Sequence, residues 1–444
     1  MAMKQRSYGH SDPGRVKKEN EDAILMAVEN GLYVLCDGCG GHAAGTIASK
    51  MTCNMTYEAI KTHRPALADY AETPTRAKRA EIIEAIHSGV NAACERVWAA
   101  AKSDPEKEGM ATTVVVLTVT GDQAIVAHAG DSRAHLLRGG KLYQLTEDHS
   151  MATRYVKMAL LTPKQAAESP SGSRLLRAVG FFQHVRLDTL HFELMTGDKL
   201  LLCSDGLSAY LSREELAEML ASAPATQVPH KMVRAANKRG GRDNISVILV
   251  DLEPESRPAG ADEDLQARID ALGAVALFRN LSYVELLRVL GITEVVSYPA
   301  GAKIVAEGGA GDRLFVCLDG AVEVVKNAHS LARLPAGSLF GEMGFLDGTK
   351  RSADVLAAED VRALAIGRDD LIGLLRKDRT LAVRILWGLC RVLNRRLYAT
   401  SEELSTVKSR VAQLDPAECP LVDRPDRSGP GPGRADGQRP PAAE

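Results

Sequence analysis

The chain has 444 residues, room for two or three domains, with 45% hydrophobic residues and a formal net charge of −2. That balance excludes a global basic field that would favour nucleic acid. No apolar run reaches the length of a membrane span, and the start, MAMKQRSYGH, lacks the apolar core of a signal peptide.

From the N-terminus to about residue 252, strand-like and helix-like stretches alternate. Segments 23–28, 32–36, 112–119, 123–128, 134–137, 199–203 and 245–252 are rich in Val, Ile and Leu and are bounded by Gly and Asp, which predicts strands. Segments 44–61, 75–101, 213–221 and 226–238 read as helices. In the second of these, apolar positions 82, 83, 86, 90, 93, 94 and 97 recur at helical spacing. Helices are grouped between paired strands rather than alternating strictly with them, which fits a layered α+β fold better than a doubly wound sheet. The polar, acidic stretch 253–264, EPESRPAGADED, reads as a linker, taken as 253–275 in full. A second region, 276–411, opens with a helix N-capped by Ser282 and continues with glycine-punctuated strands at 294–298, 303–307, 314–318 and 321–326. After Ala365 the pattern turns helical and ends in a long amphipathic helix over 379–411. The tail 412–444, rich in Pro, Gly, Asp and Arg, reads as disordered.

Chemistry concentrates in five acidic motifs: Glu21-Asp22 in KENEDA, Asp37-Gly38 in LCDGCGGH, Asp131 in AHAGDSR, Asp205 in LLCSDG and Asp243-Asn244 in GGRDNIS. Each carboxylate lies at or near the end of an apolar run, so a fold that gathers strand ends would gather oxygen ligands for a hard divalent ion. Any single Asp-Gly is more often a turn; the five together point to metal-dependent hydrolysis of a phosphate ester. Two cations bridged by a carboxylate acidify a shared water and neutralise phosphate oxygens. Asp37 is the best bridging candidate, and Arg15, Lys17 and Lys18 are candidates to hold the phosphate. The cysteines, mostly in apolar runs, suggest reduced thiols in a cytosol. Cys36 and Cys39 form a lone CxxC, which does not complete a zinc site.

The strings SDPGRVKKENEDA, CDGCGGHAAG, MATTVVVL, AHAGDSRAHLL, LTEDHS, LLCSDGL and GRDNISVILV resemble those of bacterial metal-dependent serine/threonine phosphatases of the PPM (protein phosphatase 2C) family, over essentially all of 1–252. The resemblance implies an α-β-β-α sandwich with Mn²⁺ or Mg²⁺ at one end. It implies Asp37, Gly38, Asp205 and Asp243 as ligands of a metal pair, Asp22 as partner of a metal-held water and Asp131 as ligand of a weaker third metal. It also implies in-line attack by metal-held hydroxide without a phospho-enzyme, and a flap at 146–170. Three positions depart from the family pattern. Lys17 stands where a phosphate-binding Arg is usual, keeping the charge but losing the bidentate fork. Cys39 stands where bacterial members have Met, with His42 three residues on as a weak candidate acid, and Thr46 replaces a commonly acidic residue.

In 340–353, FGEMGFLDGTKRSA, Glu342 and Arg351 flank a short predicted helix, an arrangement that offers an anion site beside a carboxylate able to take a sugar hydroxyl; a structural ion pair is the plainer reading. Residues 276–405 resemble a cyclic-nucleotide-binding domain, a β-roll with flanking helices, and the segment RLYATSEEL is similar to the long helix of catabolite-activator-type proteins. The resemblance implies Glu342 on the ribose 2′-hydroxyl and Arg351 and Ser352 on the cyclic phosphate, with Gly341 and Glu342 adding backbone contacts. Thr400 and Ser401 then meet the purine, which points to cAMP and to a homodimer through the long helix. Lys350 replaces the usual Pro before the Arg. The combined expectation is a cytoplasmic phosphatase for phosphoserine and phosphothreonine proteins, a cognate kinase and its targets among them, regulated by cyclic nucleotide. The alternatives are a catalytically weak phosphoprotein-binding sensor or scaffold, and a transcription factor. The latter lacks a DNA-binding motif in the Pro/Gly-rich stretch after residue 411.

Overall fold

A computed structural model describes residues 4–40, 43–253, 258–345 and 348–413. His42, part of the expected linker (254–257) and most of the expected disordered tail (414–444) lie outside the described residues. The chain divides into two compact units, Met1–Gly388 and Leu389–Glu444.

The first twelve strands are β1 (Lys4–Asp12), β2 (Ala23–Ala27), β3 (Leu32–Cys36), β4 (Gly38–Cys39), β5 (Ala111–Thr112), β6 (Val114–Thr120), β7 (Gln123–Ala129), β8 (Arg133–Arg138), β9 (Lys141–Gln144), β10 (Asp188–Glu193), β11 (Lys199–Cys203) and β12 (Ile245–Glu253). They build two five-stranded sheets, ordered β1-β12-β11-β8-β9 and β10-β7-β6-β3-β2, plus the short β4–β5 ladder. β6 and β7, VVVLTVT and QAIVAHA, are buried at every position, as strands covered on both faces are. Helices Ala43–Thr62 and Arg76–Ser103 pack on the second sheet through Ile60, Ile82, Ile86 and Val90. Helices Arg213–Ser222 and Val228–Lys238 pack on the first through Leu216, Leu220, Met232 and Val233. The result is the expected α-β-β-α sandwich.

Antiparallel register decides where the acidic motifs go. In the first sheet Asp12 pairs with Ile245, Val247 with Cys203, and Cys203 with Arg133. In the second, Ala23 pairs with Cys36, Leu35 with Val115, and Val114 with Ala129. The end of β11 and the starts of β8 and β12 therefore share one margin. The ends of β3 and β7 and the start of β2 share the other.

Strands β13 (Thr293–Tyr298), β14 (Lys303–Val305), β15 (Arg313–Asp319), β16 (Ala321–Lys326), β17 (His329–Pro335), β18 (Leu339–Phe340), β19 (Asp354–Ala357) and β20 (Val361–Gly367) form two four-stranded sheets, β13-β20-β15-β18 and β14-β19-β16-β17. Their shared core includes Val305, Cys317, Val322 and the stacked rings of Phe315 and Phe340, 5.1 Å apart. Ser282 caps helix Tyr283–Leu290 through a capping box with Glu285, as expected. Helix Arg368–Lys377 and the long helix Arg379–Gln413 follow.

One expectation is corrected. The stretch read as a linker contains helix Ala261–Ala274, with Leu265, Ile269 and Leu272 buried. The acidic run that suggested a solvated connector is its first turn, where Asp262, Glu263 and Asp264 complement the positive end of the helix dipole. This helix and the next join the two five-stranded sheets to the roll. Arg268 makes a fork to Glu193 of β10 (2.9 and 2.8 Å), while Asp264 pairs with both Arg268 and Arg362 of β20. The Tyr283 hydroxyl accepts from Arg138 (3.0 Å), and His191 of β10 meets the Gly291 carbonyl (2.9 Å).

Candidate functional site

Asp22 immediately precedes β2, Asp37 follows β3, Asp131 lies between β7 and β8, Asp205 follows β11, and Asp243 lies two residues before β12. The register places all of them at one end of the sandwich. Asp22 is 6% exposed, and neither of its carboxylate oxygens has a hydrogen-bond partner. Burial first, then the charges of Asp205 and Asp243, push its pKa up to about 7; the nearby Ser204 and Ser246 hydroxyls oppose the shift without closing a hydrogen bond of normal geometry. Burial and the charges of Asp22, Asp205 and Asp131 hold Asp37 well above the usual carboxylate range. Asp205 is raised by burial and by Asp243, and Asp131 is pushed up to about 7 by burial and Asp205.

The backbone around Asp37 is fixed. Its N–H donates to Thr113 Oγ1 (3.0 Å), while its carbonyl accepts from Thr113 N–H (2.8 Å) and Thr112 Oγ1 (2.9 Å). At Gly38 a Cβ would come within 2.3 Å of the Gly45 carbonyl oxygen and 2.6 Å of that of Glu21, so no larger residue fits. Glu21 Oε1 is a further buried oxygen without a partner. Asn244 holds the loop carrying Glu21 and Asp22: its amide donates to the carbonyls of Pro13 (3.0 Å) and Glu19 (2.9 Å) and accepts from Glu21 N–H (2.8 Å). Asp243 sits at the half-open rim, where Lys17 Nζ lies 3.0 Å from its Oδ1; that bond raises the Lys17 pKa. Arg15 engages Gly241 through its backbone N–H (2.7 Å) rather than through its guanidinium. Burial and the nearby carboxylates push the Cys39 thiol up to about 11, which keeps it protonated at neutral pH. Among the described residues no three His, Cys, Asp or Glu side chains stand in finished metal-ligand geometry. The donor set nevertheless suits a hard divalent cation: it is all oxygen, buried at Asp22 and half-buried at Asp37, Asp131, Asp205 and Asp243, mutually repelling, and in part without hydrogen-bond donors.

In the roll, the described residues of 340–353 run from the end of β18 through a turn at Gly341 (φ +80°) into helix Glu342–Phe345, the expected short helix, and β19 starts at Asp354. Glu342 and Arg351 are buried, at 2% and 7% exposure. Arg351 donates to the carbonyls of Gly341 (2.6 Å), Arg313 (2.7 Å) and Ala310 (3.0 Å). Burial lowers its pKa, opposed by Asp312 and Glu342. Ser352 is exposed, its hydroxyl 3.7 Å from the Met343 sulfur. Thr400 and Ser401 are exposed on the long helix, in the second unit.

The expected flap holds helices Met151–Lys157 and Pro163–Ala167. Sequence reading missed the cluster at its root. His128 and His149 stack at 4.6 Å, and His149 and Arg177 both meet Asp188, at 3.2 and 2.7 Å. His149 was visible in LTEDHS, but its partners lie 28 and 39 residues away.

An antiparallel sandwich with buried and half-buried carboxylates converging at one end defines a class of acid-lined, oxygen-donor sites suited to phosphate chemistry. Residues 14–249 match the model of protein phosphatase 2C, and residues 295–378 match that of the cyclic nucleotide-binding domain. The chain belongs to the protein phosphatase 2C family and carries a cyclic nucleotide-binding domain in its C-terminal half. It is 33% identical over 255 residues to the serine/threonine phosphatase stp of Listeria monocytogenes, covering 56% of this chain and 97% of that one. It is 31% identical over 247 residues to the serine/threonine protein phosphatase PstP of Mycobacterium tuberculosis, covering 56% of this chain but only 45% of that protein's length. The solved serine/threonine phosphatase of S. agalactiae aligns with a TM-score of 0.50 at 32% identity, over 56% of this chain and all (100%) of that one.

Proposed function

We propose that the chain is a metal-dependent protein serine/threonine phosphatase regulated by a cyclic nucleotide, cAMP in the first instance. The observation that carries the catalytic half is the convergence of Asp22, Asp37, Asp131 and Asp205 at one end of the sandwich, with both Asp22 oxygens lacking a partner. Asp37, the Gly38 carbonyl, Asp205 and Asp243 would hold two Mn²⁺ or Mg²⁺ ions, Asp22 would orient a water beside them, and Asp131 would serve a weaker third ion. When bound, such ions supply an acidified water and positive charge for the phosphate oxygens. The chain's own residues do the rest. Thr112 and Thr113 fix Asp37, and Asn244 fixes the Asp22 loop. Lys17, at the open rim beside Asp243, presents an ammonium to an incoming phosphoseryl or phosphothreonyl group. Its substrates are phosphoproteins, among them a cognate kinase and its targets. Free cysteines buried in both halves, Cys36, Cys94, Cys203 and Cys317 among them, support a reducing, cytoplasmic setting.

For the regulatory half, Gly341, Glu342, Arg351 and Ser352 would bind the ribose and cyclic phosphate, and Thr400 and Ser401 the purine. A phosphate at Arg351 would compete with the carbonyls the guanidinium now bonds. On the long helix, Cys390, Leu397, Leu404 and Val411 recur every seventh residue, with Leu393, Thr400 and Val407 three positions after the first three. Leu393, Leu397, Leu404, Val407 and Val411 are 42%, 68%, 52%, 55% and 60% exposed. That heptad seam supports pairing with a second copy of this chain.

The test is Mn²⁺-dependent phosphate release from a phosphothreonine peptide, with and without cAMP, for wild type and Arg351→Glu. Turnover that responds to cAMP in wild type alone supports both halves. Turnover indifferent to cAMP sinks the regulatory half, and no turnover at any metal concentration sinks the catalytic half in favour of a phosphoprotein-binding scaffold.

A further inference from the structure

The turn that carries Asp131 is held from behind by a side-chain set with no assigned role. Gly130 N–H donates to His149 Nδ1 (3.2 Å), and the Gly130 carbonyl accepts from His149 N–H (2.9 Å). With Nδ1 accepting from Gly130, the ring proton sits on Nε2, where Asp188 Oδ2 lies at 3.2 Å; Arg177 Nη1 is 3.1 Å from the same nitrogen, and as two donors they meet through the Asp188 carboxylate between them. Arg177 Nη1 donates to the other oxygen of Asp188 (2.7 Å), and Arg186 lies 3.6 Å from the same atom. On its opposite side the turn is wedged against Thr113. A Cβ on Gly130 (φ +115°) would come within 2.5 Å of the Thr113 side chain, and Ser132 Oγ bonds Thr113 Oγ1 at 2.7 Å. Thr113 is also the residue that anchors Asp37.

We propose that His149, oriented by Asp188 and Arg177, is a positioning residue for Asp131. Its ring fixes the backbone one residue before that carboxylate, so it sets where the Asp131 oxygens point without touching the substrate or the reacting atoms. The two sides of the wedge differ in what they touch: Thr113 ties the turn to Asp37, whereas the His149–Asp188–Arg177 set meets it at Gly130, beside Asp131. Loss of the set would therefore weaken the cation site that Asp131 serves and spare the sites built on Asp37 and Asp205. This rests on the proposed assignment of Asp131 as a metal ligand.

The experiment is equilibrium Mn²⁺ binding to the full chain by titration calorimetry, without substrate, for wild type, Asp131→Asn, His149→Leu and His149→Asn. Outer partners of a metal ligand commonly contribute tenfold or more in affinity. His149→Leu should therefore reproduce the Asp131→Asn isotherm, with the weakest site loosened about tenfold and the tighter sites kept. Asparagine can place an acceptor where Nδ1 stood, so His149→Asn should restore most of the loss. A wild-type isotherm in His149→Leu alongside a changed one in Asp131→Asn overturns the inference alone. An unchanged isotherm in Asp131→Asn overturns the assignment of Asp131 and the inference with it. If His149→Leu does not fold, Arg177→Gln, at a partly exposed position, must show the same selective weakening for the inference to stand.

Discussion

At the scale of single residues, the acidic motifs were legible because each occupies a short, punctuated string at the end of an apolar run. Their supports were less so. Asn244 stood in plain view beside Asp243, yet its work is done across the fold, on Pro13, Glu19 and Glu21. A side chain that bonds residues more than 220 positions away leaves no local spacing to read. The consequence is testable. Asn244→Asp keeps the shape but turns a double donor into an acceptor facing two carbonyls, at a residue only 3% exposed. We expect a loss of about 1–3 kcal/mol for the buried groups left without donors, together with a higher Mn²⁺ requirement because the Asp22 loop is released. Denaturant melts and Mn²⁺-dependent turnover measure the two effects. A variant with wild-type stability would show that the three bonds carry no net weight.

At the scale of elements, the strands of the two five-stranded sheets that are buried on both faces announced themselves, and their polar edge strands did not. β3 and β11 match their expected limits because LYVLC and KLLLC are almost wholly buried runs. β1 (KQRSYGHSD) and β10 (DTLHFE) are partly exposed edge strands, and both went unread. An edge strand needs cover or charge to avoid pairing with another chain. β10 receives it from Arg268 on Glu193 and from the Gly291 carbonyl on His191. The expected linker was misread for the related reason that an acidic helix start looks like a solvated connector. His191 supplies the pH dependence of this seam. Burial, then the charge of Arg79, lowers its pKa to about 3, against about 6.5 in the unfolded chain. Between those values the unfolded state binds the extra proton, so the stabilisation is complete above pH 6.5 and declines as pH falls toward 3. His191→Gln removes this titration. The stability difference between wild type and variant should move toward the variant by about 1.4 kcal/mol for each pH unit below 6.5. Parallel stability curves between pH 6.5 and 4.5 would exclude His191 as a buried neutral group.

At the scale of the whole molecule, the proposed pairing through the heptad on the long helix has consequences for copy number that can be measured. With Cys390, Leu397, Leu404 and Val411 at one seam position, Glu403 and Lys408 fall on its two flanks, and both are exposed. In a parallel pair, Glu403 of one helix faces Lys408 of the second copy, five positions further on, and symmetry makes the contact twice. In an antiparallel pair these two residues do not meet, so charge reversal tests orientation as well as association. Glu403→Lys replaces each attraction by a repulsion. Flanking pairs are worth about 0.2–1 kcal/mol each, so the dimer should weaken by roughly tenfold. The double variant Glu403→Lys with Lys408→Glu restores the pairs in reverse and should recover the wild-type dissociation constant, whereas Leu397→Asp, which puts a charge in the seam itself, should leave a monomer at micromolar concentration. Sedimentation equilibrium at low and high salt reads all three, and the single reversal should lose most of its effect at high salt, where exposed charges are screened. A wild-type chain that sediments as a monomer, or a double variant no better than the single one, would remove the parallel pairing, the latter while leaving the apolar seam intact.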